Sequence, residues 1–172
     1  EIVLNYRLPK AITAIIAGAS LSLAGLMMQT LFRNPLADPY ILGVSSGAGL
    51  GVALTIMASS LLPAVFISSG WGTVLAAVIG ASAILLLVIL VSFRLTNTVS
   101  LLIVGIMFGT IASSIVSIIQ NFANPDAIKL YVVWTFGSLS AVNWDSLRVL
   151  VPVFSIGTLL AFLLHKKSDG LL

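Results

Sequence analysis

Residues 39 to 93 form one uncharged stretch, bounded by Asp38 and Arg94. At about 1.5 Å of rise per residue, a single helix of roughly 55 residues would run about 80 Å, against roughly 30 Å for the hydrocarbon core of a bilayer. Such a stretch crosses a membrane more than once if the chain lives in one. Composition meets that condition. Of the 172 residues, 59% are hydrophobic and only 8% charged, and the mean hydropathy is +1.19, values of a chain whose solvent is lipid.

Further uncharged runs cover residues 11–32, 95–125 and 149–164, each long enough or nearly so for one crossing. The expectation is an all-α integral membrane protein with about five transmembrane helices, near residues 9–31, 41–62, 72–93, 98–122 and 144–165, in a single transmembrane domain over residues 1–172. Breakers separate the spans: Pro63 and "SSGWG" from Ser68 to Gly72, the turn "RLTNT" from Arg94 to Thr98, and "NPD" from Asn124 to Asp126. The segment 127–137, with Tyr131, Trp134 and Phe136, is too short to span and reads as interfacial, because amphipathic aromatics favour the headgroup level. The polar residues 1–10 lead straight into a full-length span and do not read as a signal peptide.

Several function classes fall away. There is no cysteine, which excludes disulfides and thiolate metal sites. No cluster of His, Asp or Glu offers a catalytic or metal centre, so neither an enzyme nor a cofactor is expected, and nothing points to nucleic acid. The middle of every proposed span is free of acidic, basic and histidine side chains, which argues against a carrier coupled to protons or sodium. The single histidine, His165, stands beside Lys166 and Lys167 at a helix end, where a solvated role is expected. Arg7, Lys10, Lys129 and Arg148 balance Arg33, Arg94, Lys166 and Lys167 across the membrane, so charge alone does not orient the chain.

Lipid gives helices no hydrophobic reason to associate, so close contacts rest on small residues. Ala14, Gly18 and Ser22 recur every four residues on the first span, and Gly105, Gly109, Ser113 and Ser117 do so on the fourth. Both stripes are expected to be buried seams. Between the first two spans, "RNPLADP" cannot continue a helix, because Pro35 and Pro39 lack a donor and push the residue before them out of the helical region. Asn34 and Asp38, each directly before a proline, are natural turn formers. Irregular backbone near a membrane belongs where it is buried in protein or lines a watery cavity.

Four stretches taken together, "RLPK" at Arg7, "AGASLSLAGLMMQTLFRNPLADPYILGVSSGAGLG" from Ala17, "LLIVGIMFG" from Leu101 and "WTFGSLSAVNW" from Trp134, resemble the permease subunits of type II ABC importers, the FecCD/BtuC-like family. The resemblance covers essentially the whole chain. It implies the N-terminal half of a ten-helix permease, about spans two to six, without the first span, the C-terminal half and the coupling loop after the sixth span. It also implies a dimeric translocation pathway in the cell (inner) membrane for a metal chelate: an iron-siderophore, haem or vitamin B12. The partners implied are a cytoplasmic ATP-binding subunit, an extracytoplasmic solute-binding protein and a second permease subunit. ATP hydrolysis falls to the partner, since the chain has no GxxxxGK[ST] motif. A small self-contained exporter and a non-transporting permease fragment are the alternatives.

By the same resemblance, Arg7 and Lys10 would dock the binding protein, with lysine in place of the family's second arginine and its bidentate fork lost; the other reading is a basic interfacial anchor. Asn34 and Leu36 would narrow a cytoplasmic gate or simply form a turn. Asn97 and Thr98 would form a second gate position or an N-cap. The pathway-lining candidates are Met28, Gln29, Gly105 and Gly109, with core packing as the alternative for the methionine and a helix seam for the glycines.

Overall fold

The computed structural model of the chain describes residues 3–57, 70–95, 97–139 and 142–169, and every regular element among them is helical. A π-helical turn, Val3–Arg7, leads into α1 (Leu8–Phe32); α2 (Val44–Met57), α3 (Gly70–Ser92), α4 (Thr98–Phe122), α5 (Pro125–Thr135) and α6 (Trp144–Asp169) follow. Among the described residues three segments are long and apolar enough to cross a bilayer: Val3–Phe32, Gly72–Ser92 and Thr98–Phe122. The apolar stretches Val44–Met57 and Leu147–Leu163 are shorter.

The helix limits differ from expectation where backbone chemistry intervenes. The second span, expected from residue 41, begins at Val44. Ile41 N–H donates to the Asp38 carbonyl (3.2 Å) and Gly43 N–H to that of Tyr40 (2.9 Å), and Gly43 stands at φ +76°, outside the helical region. Gly70 and Trp71, expected in a break, belong to α3. Pro63 and Ser68 lie outside the described residues. The segment expected to be interfacial forms α5, whose 11 residues reach only about 16 Å.

The chain divides into two compact units, one of Met28–Gly137, the other of Glu1–Met27 with Ser138–Leu172. In the first, α2 is packed by α3, α4 and α5. Leu42, Ile84, Val88 and Ala112 form one buried cluster, and Val52, Ala53, Val116 and Tyr131 another. The closest approach joins α2 to α3. A Cβ on Gly47 would lie 2.5 Å from the Gly80 carbonyl, and one on Gly51 would overlap that of Ala76. Two small residues four apart on each helix thus let the backbones meet, the geometry of small-residue packing in lipid. In the second unit, Pro9 and Thr13 are buried and Thr13 Oγ1 donates to the Pro9 carbonyl at 2.9 Å, while Trp144 Nε1 donates to the Leu4 carbonyl at 3.2 Å. Arg148 and Asp145 form an exposed ion pair at 3.1 Å.

The two expected seams part company. On α4, Gly105 and Gly109 are buried beneath the Leu42–Gly43 turn: a Cβ on Gly105 would meet Leu42 Cα at 2.8 Å, and one on Gly109 would meet Gly43 Cα at 3.1 Å. On α1, Ala14, Gly18 and Ser22 are exposed, and a Cβ on Gly18 would find nothing within 4 Å. The expected burial of that stripe is not seen, because no neighbouring helix reaches it among the described residues.

Candidate functional site

The stretch after α1 is a built structure. Helix α1 ends in a Schellman motif, with Asn34 N–H donating to the Gln29 carbonyl (3.1 Å) and Arg33 N–H to that of Thr30 (3.3 Å). Arg33 takes the left-handed position at φ 48°, where glycine is usual. Two turns of one design follow. Asn34 Oδ1 accepts from Leu36 N–H (2.9 Å) while the Asn34 carbonyl accepts from Ala37 N–H (3.1 Å). Asp38 Oδ1 accepts from Tyr40 N–H (2.6 Å) while the Asp38 carbonyl accepts from Ile41 N–H (3.2 Å). Each turn has an Asx side chain closing over a proline that presets φ, so backbone donors are satisfied without helix. Ala37 and Leu42 are buried and pin the pair to the unit. Asn34 and Leu36 face outward, and Leu36 is 87% exposed, an aliphatic side chain held out on a rigid frame.

Asn97 and Thr98 open α4. Asn97 is its N-cap, with extended backbone (φ −128°, ψ 133°) and Oδ1 accepting from Val99 N–H at 2.9 Å. Both residues are exposed. No hydrogen bond joins them to the Asn34 turns among the described residues. Of the pathway candidates, Met28 packs against the cluster around Leu42, Gln29 is half-buried, and Gly105 and Gly109 sit in the α4 seam. Arg7 is exposed at the end of the π-helical turn, and Lys10 is half-buried in the first turn of α1.

A second feature had no place in the expectation. Between α2, α4 and α5 lies a cavity of about 380 Å³ walled by hydroxyl and amide groups, among them Ser46, Ser113, Ser117, Gln120 and Thr135. Ser113 Oγ donates to Ser46 Oγ at 3.3 Å and Ser117 Oγ to the Ser113 carbonyl at 3.1 Å. Tyr131 and Trp134 close one side, their rings stacked with centroids 6.3 Å apart and planes at 24°. Burial pushes the Tyr131 phenol above its ordinary value of 10.0, so the hydroxyl stays a neutral donor. The signal was in the sequence as Ser113, Ser117 and Gln120, which share one helical face; that α5 would fold against it was not. A larger hollow of about 590 Å³, bordered by Leu54, Ile79, Leu87 and Ile111, is apolar.

Three comparisons bear on this arrangement. The model of the FecCD transport family matches residues 1–171. A Helicobacter pylori protein named "Probable iron chelatin transport system permease protein" is 39% identical over 169 residues, which are 98% of this chain and 49% of that one. The vitamin B12 import system permease protein BtuC of Salmonella arizonae is 35% identical over 153 residues, 87% of this chain and 45% of the relative. A solved inward-facing transporter assigned to the metal-chelate ABC type superposes with a TM-score of 0.78 at 30% identity, covering 90% of this chain and 47% of that one. The chain spans about half the length of these relatives.

Proposed function

Since the chain belongs to the FecCD transport family, we propose that it acts as part of a multi-pass permease that carries a metal chelate or vitamin B12 across the cell's inner membrane. In this reading the permease pairs with a second permease subunit. A solute-binding protein delivers the cargo and a separate ATP-binding subunit drives it, while the permease itself performs no catalysis. The names of the relatives support the cargo class: iron chelatin for one, vitamin B12 for the other. A self-contained exporter is not favoured, as these relatives are permeases of import and chelate systems. The small-residue stripe of α1, open among the described residues, is where further helices of the permease would pack.

The observation that carries the proposal is the double Asx-Pro turn with Leu36 held outward. A gate needs a side chain that is firmly placed yet uncommitted to its own subunit, free to meet its counterpart across a pathway. Leu36 fits that requirement, and Asn34 supports it by bracing the turn. Asn97, busy as a cap, would position Thr98 at the second constriction. Arg7 and Lys10 would meet acidic groups of the binding protein, the lysine as a point charge.

The test is reconstitution of the whole permease with its ATPase and binding protein in liposomes, with uptake of ferric siderophore, haem and cobalamin measured separately. ATP-dependent uptake of one of them is expected. Leu36→Gly should raise leakage without ATP, and Arg7→Glu should weaken stimulation by the binding protein. A folded, assembled complex that moves none of the three would overturn the reading.

A further inference from the structure

We propose that Trp144 is a positioning residue for docking of the binding protein: its indole latches the π-helical turn Val3–Arg7 and so holds Arg7 ready for its partner. The inference rests on the permease reading above, in which Arg7 meets acidic groups of the binding protein, and deepens it by giving that contact a support from α6.

The first argument is a missing donor. A π-helical turn pairs each carbonyl with the N–H five residues on. For the Leu4 carbonyl that position is Pro9, which has no N–H to give. The proline of "RLPK" therefore leaves a backbone acceptor open in the very turn that carries the arginine, and such groups call for a partner. Trp144 Nε1, 140 residues further along the chain, supplies it at 3.2 Å. Pro9 is itself held fast, for it is buried and its carbonyl accepts from Thr13 Oγ1 at 2.9 Å. The motif is thus fastened at two points, once within α1 and once from α6.

The second argument concerns what the latch holds. Every residue of the turn is exposed, so packing does not fix it. Arg7 ends the turn and Lys10 sits in the first turn of α1, so the two cations straddle the change in helical register. In one continuous α-helix they would be neighbours three residues apart and would repel. Asp145, next to the latch, is taken by Arg148 at 3.1 Å, and Arg7 has no ion pair among the described residues. A free cation on a turn that is tied down suits an acidic surface, because order set in advance is not lost on binding. A tryptophan at the interface can serve through its ring alone; the latch needs its N–H, and phenylalanine separates the two.

The experiment takes the whole permease with its ATPase in lipid nanodiscs and measures its affinity for the cargo-loaded binding protein of the same system. Arg7→Gln should weaken binding. Trp144→Phe, which keeps an aromatic ring and loses the donor, should weaken it about fivefold, the worth of one hydrogen bond. Added to Arg7→Gln, it should cost nothing more, because the latch acts through Arg7. On a Pro9→Ala background, where alanine offers Leu4 a backbone N–H, Trp144→Phe should again cost nothing. Unchanged affinity in Trp144→Phe would overturn the latch, as would a fivefold loss that persists in either background. If Arg7→Gln leaves the affinity unchanged, docking through Arg7 fails and the latch falls with it; if Arg7→Gln weakens binding and Trp144→Phe does not, the latch alone falls.

Discussion

Helix α2 has two faces built from equally small residues, and they do opposite things. Gly47 and Gly51 turn toward α3 and allow backbone to meet backbone, with Gly80 and Ala76 as the facing partners. Ser45, Ser46 and Gly49 turn toward α4 and α5; Gly49 seats against the Tyr131 hydroxyl, which a Cβ there would meet at 3.1 Å, but around the serines a cavity of about 380 Å³ is left. Helix α4 repeats the contrast along its length. Gly105 and Gly109 close under the Gly43 turn, while Ser113 and Ser117, four and eight residues further on, remain exposed. A small residue permits close approach in lipid without compelling it. On the glycine side nothing polar stood in the way; on the serine side hydroxyls, an amide and two aromatic rings gather, and contact is partly given up.

The contrast predicts that the glycine face carries stability and the hydroxyl face does not. The largest effect is expected for Gly51→Leu, whose first added carbon already overlaps the Ala76 carbonyl; overpacking of this kind costs about 3 kcal/mol or more. Thermal unfolding of the purified whole permease in detergent should show a clear fall in midpoint. Next comes Gly43→Ala. The left-handed φ of +76° and a Cβ 2.8 Å from the Gly105 carbonyl act together, for about 2 kcal/mol by the same measurement. On the other face, Ser113→Ala removes one long hydrogen bond to Ser46 (3.3 Å) and should cost about 0.6 kcal/mol. The smallest change is expected for Tyr131→Phe, which removes a hydroxyl with no partner among the described residues and should stay within about 0.5 kcal/mol. Were Tyr131→Phe to destabilise as much as Gly43→Ala, the hydroxyl face would be a packing surface after all and the comparison would be broken.

Much of the fold was legible because its signals act over a few residues. Hydropathy marked the apolar helices, Asn34-Pro35 and Asp38-Pro39 marked the stop after α1, and Asn97 marked the start of α4. In each case an Asx side chain accepts a hydrogen bond from an amide two positions on. The start of α2 was misplaced by three residues, since the positive φ of Gly43 is imposed by its seat against Gly105 and Gly109. The site was half legible. The turn bearing Leu36 was visible in its prolines, but the cavity behind Ser113 was not, as three separate helices make it.

The amino-acid sequence by itself determined which segments prefer lipid, where helices must stop and how the chain turns between α1 and α2. Those outcomes depend on transfer free energy and on backbone geometry within a few residues. Tertiary structure alone decided which small-residue stripe closes: α2 on α3, and the first half of the α4 stripe on the Gly43 turn, with the α1 stripe left open. It also decided that α5 swings over the serines and brings Tyr131 together with Gln120 around one polar hollow. The reason is that a missing side chain lowers the barrier to approach equally everywhere, and the helix that takes advantage of it comes from far along the chain.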